Sequence, residues 1–440
     1  MSIREPRIHL SFRFHVNFYH SYRGDSLDEK GIGKDIRIIR SILDDIDGLE
    51  SDGIPVRCAW DIENFFSLET YLPRHAPDIL ERIRQRVAAG SDEVEPMSWN
   101  NGIMTAHTRE EFRAAIGRAI TNPAGSGIAD LFSSWAPIVR PQECMFTSAH
   151  IPEYRALGIE ALSVYYSAIP FNGFGSFIAP LPLERRYNPM KLVDRQSGTS
   201  IRLLPACNHA DIVESWASLR RWLKSMRRGQ LGRVQNGDGA GNDAPYTGDL
   251  LLVIDMDADD TFWTGYLPPA FKGILPSACG FDSLVRSVAD LPWLSFTRPW
   301  DYLRSHDDLG ELELGQDLAD GAWDGYSSWA EKAENAELWT EVARARRVDG
   351  LASRLERERG RPAGGSAGQA LSERLLAMST THFGMASPVM NADRLRDGFH
   401  RADAALAAAE RRLAGARNQP AGNAGDPEAH YWYLDRKSVV

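Results

Sequence analysis

The chain has 440 residues, more than one compact core of ordinary size holds, so one large domain with a smaller appendage is the natural expectation. Hydrophobic residues at 43% and charged residues at 25% argue against wholesale disorder, and a formal charge of −10 at pH 7 disfavours nucleic acid as a partner, because phosphate binding needs a basic surface. No apolar run approaches the ~18–20 residues of a membrane span. The opening MSIREPRIHLSFRF puts charges where a signal peptide carries its apolar stretch. The scattered cysteines Cys58, Cys144, Cys207 and Cys279 form no CxxC pair, so a reduced, cytoplasmic setting is expected.

Over the first 305 residues short β-like runs alternate with helical stretches. IHLSFRFH (8–15) alternates and is rich in β-formers, and 34–47 carries Ile36, Ile39, Leu43 and Ile46 at helical spacing. IPVRCAW (54–60) reads as a strand, followed by a helix near 77–89 and a short strand over 93–97. The helix 109–120 starts after Thr108, with Glu110 and Glu111 in its first turn. Further strands are expected at 137–139, 161–166, 201–206 (IRLLPA), 250–255 (LLLVID) and 294–296 (LSF). Such alternation points to parallel strands with crossover helices. The basic run Arg220, Arg221, Lys224, Arg227 and Arg228 reads as a solvated helix face. Residues 231–248 form a turn-rich loop, and beyond Gly310 helical patterns take over at 327–348, 369–380 and 394–413.

Polar clusters recur just after the strands, at His15–Asn17, Asp61–Glu63, Ser98–Asn100, Gln142–Glu143, Asn208–Asp211 and Asp257–Asp260. Functional groups collected at many strand ends favour a closed α/β barrel over an open sheet. The expected organisation is a (β/α) barrel over 1–305, a helical domain packed on it over 306–417, and a connector with a strand-like tail over 418–440.

The carboxylates set the chemistry. Glu143 directly follows a strand in VRPQECMF, with Arg140 and Gln142 near, which suits a nucleophile held ionised; a plain Glu143–Arg140 pair at a loop end is the alternative. LLLVIDMDADDTFW packs Asp255, Asp257, Asp259 and Asp260 behind an apolar strand, where one acid can reach a cleft and others can cap the next turn. Two carboxylates from different strands meet the demand of glycoside hydrolysis. Tryptophans beside polar groups, Trp60-Asp61, Trp99-Asn100 and Trp323-Asp324 among them, supply the flat faces and hydrogen-bonding edges that sugars need. GQDLADGAWDG adds Asp320 and Trp323 at a loop-to-helix entry. His15 and His20 in HVNFYH form a weak metal signal, and HExxH does not occur.

In order along the chain, these pieces resemble glycoside hydrolase family 57 and, more distantly, family 38, whose members use a (β/α)7 barrel followed by a helical region. RFHVNFYHSY stands where family 57 has its HQP-like element, with His15 and Asn17 but no Gln-Pro. DEVEPMSWNNG with Glu95 stands at the next strand end, and PQECMF with Glu143-Cys144 matches the nucleophile run. VIDMDADDTFW resembles the acid/base run, with Asp257 taken as the acid and Trp263 near the family's tryptophan, and GQDLADGAWDG resembles the final element through Gln316, Asp320, Trp323 and Gly325. The resemblance implies double displacement on an α-linked sugar, with Glu143 attacking and Asp257 protonating. It leaves His15, Asn17, Trp99, Asn100, His209, Asp211, Trp263, Asp320 and Trp323 to bind an oligosaccharide or polysaccharide, with no cofactor and no metal. Family 38 holds zinc through an HxD element, whereas Asn17 follows His15 here; His382 in THFGM resembles that family's late histidine. The rival expectations are a metal-dependent glycosidase or deacetylase and a non-catalytic sugar-binding barrel. Homo-oligomerisation through the helical tail is compatible with each.

Overall fold

The computed structural model describes residues 5–18, 33–165, 181–207, 218–232, 246–313, 333–360, 365–383 and 392–418. They belong to two compact units, Met1–Asp320 and Gly321–Val440.

The strands of the first unit are β1 (Ile8–Val16), β2 (Cys58–Ile62), β3 (Glu93–Pro96), β4 (Ile138–Val139), β5 (Ala161–Tyr165), β6 (Met190–Asp194), β7 (Thr199–Ala206), β8 (Leu250–Asp257), β9 (Leu294–Phe296) and β10 (Glu311–Leu312). Parallel pairing runs β3-β2-β1-β8 in one sheet and β4-β5-β7 in the other. Two links join the sheets: a parallel bridge between Cys207 and Ile254, and the Ala136 amide donating to the Val94 carbonyl at 2.8 Å. The parallel strands therefore close into a barrel, in the order β1-β2-β3-β4-β5-β7-β8. The short β9 pairs with β1 over Ile8–Leu10, ahead of the stretch that β2 occupies. Antiparallel β6 and the two-residue β10 form a ribbon beside β7; the sequence pattern showed neither, because MKLVD carries no alternation that stands out and two residues carry no period at all.

The alternation of β1 decides what lies on each side of the wall. Ile8, Leu10, Phe12, Phe14 and Val16 pack outward into one apolar core with Ile39, Ile42, Leu43 and Ile46 of the helix Gly33–Ser51. Each such fully buried aliphatic or aromatic side chain contributes about 1.5–3 kcal/mol. The intervening Ser11, Arg13 and His15 are buried too, on the opposite face of the strand, so the barrel interior is polar. The helix Arg109–Ile120 begins as its sequence predicts, with Thr108 and Glu111 forming a capping box. All four cysteines are buried and free.

The second unit contains the helices Ala333–Glu358, Gly365–Ala377 and Ala392–Asn418. Small residues line their seams: Ala345 meets Ala405, and Ala370 meets Ala408 and Ala409, so the backbones approach closely. Arg412 binds Asp349 at 2.6 Å and also Glu356, while Arg374 binds Asp349 at 3.0 Å, a largely buried ionic cluster that ties the helices together. His382 belongs to this unit; its Nδ1 lies 3.0 Å from the Arg394 carbonyl and burial lowers its pKa to about 4.

Candidate active site

The C-terminal ends of β1, β2, β3 and β8 bring titratable side chains to one level. His15 is in register with Asp61 on one side and Asp257 on the other, and Asp61 is in register with Glu95. One inward position deeper, Arg13 is in register with Asp255. Because side chains alternate along a strand, all of these face the barrel interior.

Arg13 is fully buried and organises the deeper layer. Its Nε lies 2.9 Å from Glu95, its Nη1 lies 3.3 Å from Asp255, and Nη1 donates to Ser163 Oγ at 2.5 Å. Arg140, just past β4, places Nε 3.2 Å from the same Asp255 oxygen and donates from Nη2 to the Tyr165 hydroxyl at 2.9 Å. Above them His15 Nδ1 pairs with Asp61 at 2.8 Å. Buried charges of both signs thus offset one another, as low-dielectric surroundings require.

Burial is the largest influence on these groups. It raises Glu95 to about 7, against the pull of Arg13, and raises Asp255 against Arg140 and Arg13. Burial pulls His15 down, but the Asp61 carboxylate outweighs it and His15 ends above the ordinary imidazole value. Asp259 rises to about 8 through burial and the neighbouring Asp257 charge. Tyr165 is pushed well up by burial, against Arg140, and it senses Asp255, Asp257 and the Cys144 thiol. Groups from β1, β4, β5 and β8 therefore share one electrostatic environment.

Glu143 occupies the turn Gln142–Cys144 directly after β4, half-buried. Its backbone is left-handed (φ 52°, ψ 30°), and Cys144 follows at φ 48°. Gln142 Nε2 donates to Glu143 Oε1 at 3.0 Å. Asp257 is the last residue of β8, also half-buried; its carbonyl accepts from Trp263 Nε1 at 2.8 Å and from the Asp260 amide at 3.2 Å. Asp255 is held by two arginines inside the barrel, which leaves Asp257 as the β8 carboxylate at its rim. Gln142 Oε1, Asp61 Oδ1, Asp255 Oδ1 and Asn17 Oδ1 are buried without a hydrogen-bond partner among the described residues, so polar acceptors cluster on this side of the barrel.

The other expected site residues divide. Asn17 lies buried just past β1, and Asn100 is buried with its Nδ2 3.3 Å from His107 Nε2. Trp99 is 6% exposed, bonded through Nε1 to Glu69 at 3.2 Å and covered on a face by the Arg118 guanidinium at 5.0 Å. Trp263 has no exposed surface: Phe12, Phe14, Phe262 and Phe281 surround it, so it stands in the wall behind Asp257 instead of offering a ring face. His209, Asp211, Asp320 and Trp323 lie outside the described residues. Sequence reading had no role for Arg13 or Tyr165. The signal for Arg13 was present, since it is the basic member of the inward set Ser11, Arg13, His15 of a strand whose other face is wholly apolar.

No family model matches the sequence, and no curated protein matches it. Solved structures do. The 4-α-glucanotransferase of Thermococcus litoralis superposes with a TM-score of 0.59 at 13% identity, over 91% of this chain, which spans 59% of that enzyme's length. The α-amylase AmyC of Thermotoga maritima gives 0.57 at 11% identity, covering 94% of both chains. A GH57 branching enzyme of Thermococcus kodakaraensis gives 0.54 at 12% identity, over 92% of this chain and 88% of that one. The fold is that of the GH57 enzymes, a (β/α) barrel followed by a helical region.

Proposed function

We propose that the protein is a retaining glycoside hydrolase or transglycosidase acting on α-linked glucans. The observation that carries this reading is the placement of Glu143 and Asp257 at the C-terminal ends of β4 and β8, with Glu143 on a left-handed turn. Backbone strain of this kind concentrates at functional sites. The names of the structural neighbours, a glucanotransferase, an amylase and a branching enzyme, support α-glucan as the substrate class. In this mechanism Glu143 attacks the anomeric carbon while Asp257 protonates the departing glycosidic oxygen. Asp257 then takes a proton from water or an acceptor sugar, which displaces Glu143 from the glycosyl-enzyme. His15, with Nδ1 committed to Asp61, keeps Nε2 for a sugar hydroxyl.

The test is Glu143→Ala assayed on maltooligosaccharides with and without azide. Loss of turnover, with azide restoring bond cleavage and yielding a glycosyl azide, supports the nucleophile. Normal turnover in Glu143→Gln overturns it. Tight sugar binding by the wild-type chain without turnover would instead favour a non-catalytic barrel.

A further inference from the structure

At the opposite, N-terminal end of the barrel, three side chains converge that the proposed reaction does not use. His9 opens β1, Asp249 immediately precedes β8, and His306 follows the helix Pro299–Ser305. His9 lies six residues before His15 on the same strand, roughly 20 Å away at ~3.3 Å per residue. One carboxylate oxygen, Asp249 Oδ2, is 3.3 Å from His9 Nε2 and 3.4 Å from His306 Nε2. Those separations are long for charge-assisted hydrogen bonds, which favour ~2.7–2.9 Å. They equal the ligand-to-ligand edge of about 3.3–3.4 Å that a tetrahedron with ~2.0–2.1 Å metal bonds requires.

The surroundings fix the same assignment independently. His306 Nδ1 sits 3.0 Å from the Tyr302 carbonyl, which can only accept, so that nitrogen carries the proton. In the neutral ring the Nε2 lone pair then faces the carboxylate, a repulsive arrangement that a cation between them relieves. Tyr302 stacks on the His306 ring at 3.7 Å and 7°, fixing its plane. The other carboxylate oxygen, Asp249 Oδ1, accepts from the Arg7 amide at 2.7 Å, which turns Oδ2 toward both imidazoles. A carbonyl behind a ligating histidine and a hydrogen bond behind a ligating carboxylate are the partners that orient metal ligands.

We infer that His9 Nε2, Asp249 Oδ2 and His306 Nε2 form a binding site for one zinc ion. Two imidazoles and a carboxylate suit zinc, with a fourth position for water. Side-chain exposures of 14%, 12% and 25% leave the site reachable from solvent. The ion ties the start of β1 to the entry of β8 and to the helix end at His306. At this end of a barrel its effect is on stability.

The experiment uses the chelator-treated full chain. Calorimetric titration with zinc should give one equivalent, zinc should raise the unfolding temperature, and cobalt should give the intense visible absorption of a tetrahedral site. His306→Gln and His9→Gln should each weaken zinc by more than the ~10–100-fold that loss of a ligand's outer partner costs. The metal-free variants should unfold as the metal-free wild type does. Absence of saturable uptake, or uptake unchanged in both variants, overturns the site. Should neither variant fold, X-ray absorption of the zinc-loaded native chain decides: two imidazole nitrogens support the assignment and any other first coordination sphere rejects it.

Discussion

Glu143 at φ 52° and Cys144 at φ 48° place two successive non-glycine residues in the left-handed region, at roughly 1–2 kcal/mol each. That cost recovers nothing in packing for the half-buried Glu143 side chain, so relieving it should not harm the fold. Glu143→Gly should therefore lose turnover by 10³-fold or more on the order of a missing nucleophile, while its urea midpoint stays level or rises. A midpoint that falls by several kcal/mol would make Glu143 a structural residue. Arg13 is the opposite case. It is buried against Glu95 and Asp255, and Arg13→Met leaves both acids without that partner, which should cost about 3–5 kcal/mol. Glu95 already stands raised to about 7 by burial, so its contribution to stability is full below the usual carboxylate value and is lost as pH rises through about 7. Without Arg13 its pKa rises further, and the deficit of the variant should be larger at pH 8 than at pH 5. Equal deficits at both values would show that Arg13 matters through its packing.

Elements carry the same logic at longer range. Just past β2, Glu63 caps the short π-helical segment Asn64–Tyr71 and accepts from the Phe66 and Ser67 amides at 3.0 and 2.7 Å. Burial nonetheless raises it to about 8. Its stabilising protonation is complete below ~4.5 and is lost progressively up to about pH 8, a slope near 1.4 kcal/mol per pH unit. Glu63→Gln should remove that slope, read as urea midpoints that fall less steeply between pH 5 and 8; parallel curves would refute the shift. Most barrel strands were legible because alternation or an apolar run marks them, and the Thr108 helix start was legible because a capping box is local. The ionic layer was not. Arg13 and Asp255 are 242 residues apart, and nothing in either neighbourhood names the other. Asp257 was chosen from four neighbouring acids by resemblance, whereas the strand itself separates it from Asp255 by turning alternate side chains to different depths. Trp263 shows the limit of composition: a tryptophan beside an acid reads as a sugar platform until Phe12, Phe14 and Phe281 are seen to enclose it.

For the whole molecule, the division into Met1–Asp320 and Gly321–Val440 makes a thermodynamic claim that can be measured. The helical unit has its own small-residue seams and its own buried cluster of Arg412, Arg374, Asp349 and Glu356. It is also long enough to bury a core of its own. Residues 321–440 expressed alone should therefore give a helical circular dichroism spectrum and a cooperative, concentration-independent unfolding transition. Gly398 supplies an internal probe of whether the packing is that of the full chain. A Cβ there would lie 2.8 Å from Leu338 Cδ2 and 2.9 Å from His382 Cβ. Gly398→Ala gains about 1 kcal/mol of helix propensity, yet His382 Cβ is fixed to its backbone and cannot swing aside, so overpacking of about 1–3 kcal/mol should win. The variant should be destabilised by the same amount in the isolated unit and in the full chain, because the contacts at stake all lie inside the unit. A stabilised variant would mean that the helices Ala333–Glu358 and Ala392–Asn418 do not approach as closely at Gly398 as the structure has them, and a loss confined to the full chain would mean that residues 321–440 do not reach this packing alone.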